Sequence, residues 1–248
     1  MEIKSYTTHV VTPEESLLKI ITQHIPHIPE KSVLVITSKI LSVCQNRIIS
    51  KKAIADKFQL IQQEADLYLE GDYIKNYGVC LTIKNGILIP TAGIDESNSD
   101  DHYILYPLNI QAEAEMLWKS LKEVYHCNAM GILITDSHTT PLRRGVTGIA
   151  LGWCGFEPLY NYIGKPDIYG RPLRCTYMNI LDSLATAAVF LMGEGNEQTP
   201  LALITDTEKI VFQDRPPTEE EIKSVSIPLE EDLYAPLIAS VNWRKGGT

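Results

Sequence analysis

Basic residues are scarce here relative to acidic ones. Against 31 Asp and Glu stand 22 Lys and Arg, a formal net charge of −9 over 248 residues. That balance disfavours nonspecific binding to nucleic acid or to an anionic membrane surface, so neither is expected as a partner. Long apolar runs are missing: none approaches the roughly 20 residues needed to cross a bilayer. Cysteines are few and scattered, and Cys44, Cys80, Cys127, Cys154 and Cys175 form no CxxC pair and no Cys/His ligand spacing. Reduced, buried thiols are the expectation. The opening residues, MEIKSYTTHVVTPEES, hold no basic stretch followed by an apolar one, so a soluble, cytoplasmic protein is expected. Internal repeats and low-complexity linkers are absent as well. The length suits one large domain or two small ones with a sizeable core.

An acidic chain that handles phosphates needs metal ions or a local Arg/Lys cluster, and several segments offer one or the other. Glu2 to Tyr6 alternates like a short strand, and Thr12-Pro13-Glu14-Glu15 reads as the start of a helix carrying Leu17, Leu18, Ile20, Ile21 and Ile25. Ser32 to Ser42 begins with a buried strand and runs into Thr37-Ser38-Lys39, which could set hydroxyls and an ammonium beside phosphates. The Gly-rich loop of a P-loop is missing there, and the alternative is a strand end with a surface lysine. Lys51 to Glu70 reads as one helix. Asn85-Gly86 between two apolar runs marks a hairpin. After it, Asp95-Glu96-Ser97-Asn98 is rich in oxygen ligands, although an Asx-type turn explains Asp95 and Asn98 equally well. Gln111 to Tyr125 and Asn179 to Leu191 read as helices, the second closed by Met192-Gly193-Glu194-Gly195, and Leu201 to Ile204 as a strand.

The densest cluster of chemistry is Gly131 to Gly152, GILITDSHTTPLRRGVTGIALG. A buried strand ending on Thr135 would deliver Asp136 and Ser137, hard oxygen ligands for a cation such as Mg²⁺, to the sheet edge where ligands bind. His138 stands beside them. Arg143 and Arg144 follow as a pair able to clamp phosphate or carboxylate oxygens. A polar turn with a solvated arginine pair is the plain alternative.

Taken in order, five segments resemble the coenzyme F(420)-0:L-glutamate γ-ligase family. They are Thr37-Ser38-Lys39 through Arg47, Ala92 through Asn98, Ile134 through Ser137, Arg143 through Gly152, and Met192 through Gly195. The resemblance implies an amide-bond-forming γ-glutamyl ligase using GTP or ATP, two divalent ions (Mg²⁺ or Mn²⁺) and K⁺. It joins L-glutamate to a carboxylate acceptor, F(420)-0 or, in a bacterial branch that the aromatic segment Trp153 to Tyr162 resembles, a folate. Carried over by residue, the resemblance implies that Asp95 and Asp136 hold one divalent metal and Ser137 and Glu194 the other. The nucleotide would fall to Ser38, Lys39, Asn98 and the loop Met192, Gly193, Gly195, Asn196, Glu197, Gln198 and Thr199. A segment near Thr8 to Val11 matches a nucleotide contact by position, and Arg143, with Arg144, would stabilise charge on the transferring phosphoryl group. His138 has no required role. The chain departs from the family pattern at Val43, where Lys is usual, at Gln45-Asn46, where Glu-Gly is usual, and at Thr140, where Arg is usual. For the fold, mixed helices and strands with a hairpin predict an α+β protein with mixed or antiparallel sheets. The resemblance implies a two-part, V-shaped subunit spanning residues 1–248, in a homodimer; the sequence sets no boundary between the parts, which could be interleaved along the chain. A nucleotide- or metal-binding relative without ligase activity is the rival reading, and a metal-dependent phosphatase a third.

Overall fold

The computed structural model describes residues 1–71 and 78–247. Its centre is a five-stranded mixed sheet in the order β1-β12-β2-β8-β9, built from Glu2–Tyr6, Leu201–Thr205, Ser32–Thr37, Met130–Thr139 and Val146–Cys154. β2 and β8 are parallel, and every other pairing is antiparallel. The α+β expectation is met. β2 is the sequence SVLVIT, β-branched residues with both faces buried. Because side chains alternate across a strand, Leu34 and Ile36 pack one way, against helices Leu17–His24 and Ile110–Tyr125. Val33 and Val35 pack the other way, against helix Ile180–Met192. β8 repeats the division, with Ile132 and Ile134 in the first core and Leu133 in the second. A sheet with helices on both faces is therefore written directly in the alternation of two strands.

Residues between the central β2 and helix Ile110–Tyr125 build a third, smaller core of Leu60, Ile61, Ala65, Cys80, Ala92, Ile94 and Leu105. Over it lie a four-stranded sheet, β13-β4-β5-β6 (Arg244–Lys245, Leu67–Tyr68, Leu81–Lys84, Ile87–Pro90), and the ribbon of β3 (Ile48–Ser50) with β7 (His102–Ile104). The Asn85-Gly86 hairpin is present, with φ of 50° and 75°, as a tight two-residue turn requires. Just beyond β6, Thr91, Ala92 and Gly93 are all left-handed, at φ 52°, 55° and 71°. Such a run costs on the order of 1 kcal/mol for each non-glycine residue, so it needs a clamp. The buried Thr82 hydroxyl supplies it, donating to the Ile89 carbonyl and accepting from the Ala92 N–H at 2.8 Å. Thr82→Val is expected to lower stability by about 1–3 kcal/mol, because the buried Ala92 N–H is left without a partner. Urea unfolding of the variant, with Thr82→Ser as the hydroxyl-retaining control, checks this.

Three local expectations need correction. The first helix starts at Leu17, with Ser16 as its N-cap, and not at Pro13. Glu15 folds back to accept from the N–H and hydroxyl of Thr12, at 2.6 and 2.7 Å, closing a separate turn. Lys51 to Glu70 is not one helix but a single turn, Lys51–Ala53, and a helix, Lys57–Glu64, restarted where Asp56 accepts from the Phe58 N–H. The strand expected to end on Thr135 continues to Thr139 as a hairpin with β9. Ile134 pairs with Gly152 and Thr135 with Ala150, so Leu151 is the extra residue of a bulge.

The thiols follow expectation: all five cysteines are free, with Cys80, Cys127 and Cys154 buried. No helix among the described residues is long and apolar enough to cross a membrane.

Candidate active site

A cleft of about 440 Å³ opens at the carboxyl ends of the parallel pair β2 and β8. Such an end is where open sheets gather ligands. Thr37, Ser38 and Lys39 enter it from the end of β2, and Thr135, Asp136 and Ser137 from β8. Asp95 and Asn98 come from the loop after the left-handed turn, and Met192 to Pro200 from the end of helix Ile180–Met192. The loop Thr8 to Val11 closes the remaining side.

Alternation along β8 explains how adjacent residues reach different partners. Asp136 shares the face of Ile132 and Ile134, where the buried Ser38 is near enough to favour its charged form. Ser137 shares the opposite face with Leu133, and its hydroxyl meets the Glu194 carboxylate. Helix Ile180–Met192 holds Glu194 there by lying tight against β9. Asp182 accepts from the Ala150 N–H at 2.9 Å, and the Thr186 hydroxyl donates to the Gly148 carbonyl at 3.0 Å. Gly193 then ends the helix with φ 78°. The following loop is pinned by Asn98, which donates to the Gly195 carbonyl at 2.7 Å, and by Glu197, which accepts from the Gly195 N–H at 2.8 Å. Across the cleft, the Thr8 N–H donates to the Gln198 carbonyl and the Thr37 N–H to the Pro200 carbonyl, at 2.9 and 3.0 Å.

The electrostatics are lopsided. Among the described lining residues are five carboxylates (Asp95, Asp100, Asp136, Glu194, Glu197) and one lysine, Lys39. Desolvation pushes the Asp136 carboxyl up to about 6, and the neighbouring Asp95 charge adds to it, against hydrogen bonds from the Ser137 N–H and Ser38. Desolvation likewise raises Glu194, with Asp95 and Glu197 adding to it. Burial presses Asp95 upward too, but the Lys39 ammonium and the N–H and hydroxyl of Ser97 outweigh it and hold this carboxyl below its usual range. Lys39 Nζ lies 2.6 Å from Asp95 Oδ2.

The donors fit a hard cation: carboxylates and a serine hydroxyl, two of the acids raised mainly by desolvation, as acids are where a positive charge is wanted. Among the described residues, no three Asp, Glu, His or Cys side chains converge on one point. Mg²⁺ is content with few protein ligands when phosphate oxygens and water complete its shell.

Every nucleotide and metal position expected from the sequence therefore lines this one cleft: Ser38, Lys39, Asp95, Asn98, Asp136, Ser137 and Met192 to Thr199, Glu194 among them. Arg143 and Arg144 do not. They sit exposed at the tip of the β8–β9 hairpin, because both strands continue past the sheet end and carry the turn away. His138 lies on the same arm, its ring against the Thr139 carbonyl and the Thr147 hydroxyl. Ser97 was not singled out from the sequence, yet it fastens Asp95 through its N–H at 2.7 Å and its hydroxyl at 2.8 Å. Serine two residues after an aspartate is the usual Asx-turn arrangement, and that spacing was the available signal.

The chain is 30% identical over 189 residues to the coenzyme F420:L-glutamate ligase of Methanococcus maripaludis, covering 71% of this chain and 75% of the relative. Against the protein of the same name from Methanopyrus kandleri it is 29% identical over 207 residues, 78% of this chain and 81% of the relative. The Archaeoglobus fulgidus protein of that name is 36% identical over 122 residues, 49% of each chain. The class is that of the amide-bond-forming ligases. The family model described as F420-0:Gamma-glutamyl ligase matches residues 6–206, and the chain belongs to that family.

Proposed function

We propose that this protein joins L-glutamate through its amine to a carboxylate acceptor, F(420)-0 or a folate, at the expense of GTP or ATP. The observation that supports it is the convergence of four separated segments, 38–39, 95–98, 136–137 and 192–199, on one acidic cleft in a member of a ligase family. In this reading an acceptor carboxylate oxygen attacks the γ-phosphorus and the bond to the nucleotide's bridging oxygen breaks. The glutamate amine then attacks the acyl phosphate carbon, phosphate leaves, and the amine gives up its proton. Phosphoryl transfer of this kind asks for positioning and charge neutralisation more than for covalent help.

Asp95 with Asp136, and Ser137 with Glu194, would hold two divalent ions, Mg²⁺ or Mn²⁺. When bound, these supply the positive charge that a nucleotide needs in an acidic cleft. Lys39 would donate to phosphate oxygens. Asn98, through the Gly195 carbonyl, would fix the loop that covers them. K⁺ as a helper ion, a V-shaped two-part subunit and a homodimer belong to the same proposal. Arg143 and Arg144 would serve charge at the transferring group only if another copy's cleft received the hairpin tip, a geometry a dimer could supply.

Purified protein with GTP or ATP, Mn²⁺ and glutamate is expected to release phosphate only when an acceptor carboxylate is added, and to stop on chelation of the metal. Phosphate release without acceptor or amine would mark a phosphatase instead. Nucleotide binding with no amide product would mark a relative without ligase activity.

A further inference from the structure

Lys39 serves two masters in this cleft. It is the second residue of helix Ser38–Cys44, yet its ammonium reaches the loop after the left-handed turn. There it pairs with Asp95 at 2.6 Å and donates to the Ser97 hydroxyl at 2.9 Å and the Ser97 carbonyl at 3.3 Å. Its charge also steadies Asp136 and Glu194. One ammonium thus balances three carboxylates contributed by three different parts of the chain. Among the described residues its polar partners are the oxygens of one loop, and the same Asp95 carboxylate is committed internally, through Oδ1 to Ser97 and through Oδ2 to Lys39.

We propose that Lys39 is a tethered counter-cation. It holds Asp95 while no divalent ion is bound, yields that carboxylate when one arrives, and only then turns to the phosphates of the nucleotide. The proposal rests on the reading of Asp95 as a metal ligand given above. A lysine is suited to the exchange: its ammonium is a compact charge on a flexible stem and can swing between partners without disturbing the backbone. Asp95 itself stays in place, because its N–H and carbonyl are both paired with Ile104 at 2.9 Å. A divalent ion competes for the carboxylate with twice the charge. The ammonium it displaces finds its best new partners in phosphate oxygens. Metal and nucleotide binding become coupled through one side chain, and by linkage each strengthens the other. A static ion pair whose only task is to brace the loop 95–98 makes no such link.

Mn²⁺ titrations of the wild type, Lys39→Met and Asp95→Asn, with free Mn²⁺ read by electron paramagnetic resonance and no nucleotide present, separate the two. Lys39→Met is expected to bind Mn²⁺ about tenfold more tightly than the wild type, a change within the usual range of coupling between sites. In the same protein Mn²⁺ is expected to strengthen GDP binding less than it does in the wild type. Loss of a brace, or partial unfolding, would instead weaken Mn²⁺ binding, so the gain cannot come from damage. Lys39→Gln repeats the test with a polar side chain. Equal or weaker Mn²⁺ binding by both Lys39 variants overturns the exchange even if Asp95→Asn shows that the metal binds at Asp95. Undiminished binding by Asp95→Asn overturns the metal reading and the exchange with it.

Discussion

Asp136→Asn is expected to make the metal-free protein more stable and to abolish its turnover. The wild-type carboxyl is pushed up to about 6 by desolvation, with the nearby Asp95 charge adding to it. Its folded pKa is thus raised above the unfolded value, so the folded state binds the proton more tightly. Stability from this group is greatest below the ordinary aspartate range, near pH 4, and falls as pH rises towards 6. Above that the penalty is complete, about 3 kcal/mol at neutral pH. Asparagine keeps the shape and carries no charge, so the gain should be present at pH 7.5 and gone at pH 4. Thermal or urea unfolding in chelator at the two pH values reads it directly. Turnover should fall by about a thousandfold or more, the scale of losing a group that organises charge in the transition state. Unchanged stability at pH 7.5 would show that the carboxyl is not under strain, and retained turnover would remove Asp136 from the site. Stability given up for a crowded carboxylate is the usual mark of a functional site.

The second large effect lies outside the cleft. Gly148→Val is expected to destabilise the protein by about 3 kcal/mol or more. A Cβ built at Gly148 meets the Ala185 carbonyl oxygen at 2.3 Å, its carbon at 2.4 Å and the Thr186 nitrogen at 2.7 Å. These are backbone atoms of helix Ile180–Met192, which cannot step aside as a side chain can, so overpacking here must move the helix or β9. The same contact keeps Glu194, just past the helix end, beside Ser137 on β8. Whatever fraction of Gly148→Val remains folded should therefore bind Mn²⁺ more weakly than wild type, while Gly148→Ala should fall between. Urea unfolding measures the first effect, and a loss below about 1 kcal/mol would show that the helix can retreat freely.

Local chemistry made much of the fold legible. The Asn85-Gly86 hairpin, the alternation of β2 and the helix closed by Gly193 each depend on residues within a few positions of one another. The misread segments share a different cause. Asp136, Ser137 and His138 look like a turn because they are polar, yet they continue a strand because β9 pairs with them. Nothing in Asp-Ser-His-Thr announces that pairing. Asp56 interrupts a run whose apolar spacing alone suggested a single long helix, since a local hydrogen bond to the Phe58 N–H outcompeted the pattern. The cleft was readable as a set of residues but not as a geometry. The Lys39–Asp95 pair and the Asn98–Gly195 bond join positions far apart in the chain. Arg143 and Arg144 stand close to Asp136 in sequence, yet the continuing hairpin sets them at its exposed tip, a separation no local pattern announces.

Amide-bond formation is tested by mass detection of the product after the purified protein is incubated with GTP, Mn²⁺, L-glutamate and either F(420)-0 or a folate. A new species heavier than one of these acceptors by one glutamyl residue or more is expected, formed together with GDP and phosphate and absent when glutamate or metal is omitted. Nucleotide consumed with both acceptors recovered unchanged would contradict it.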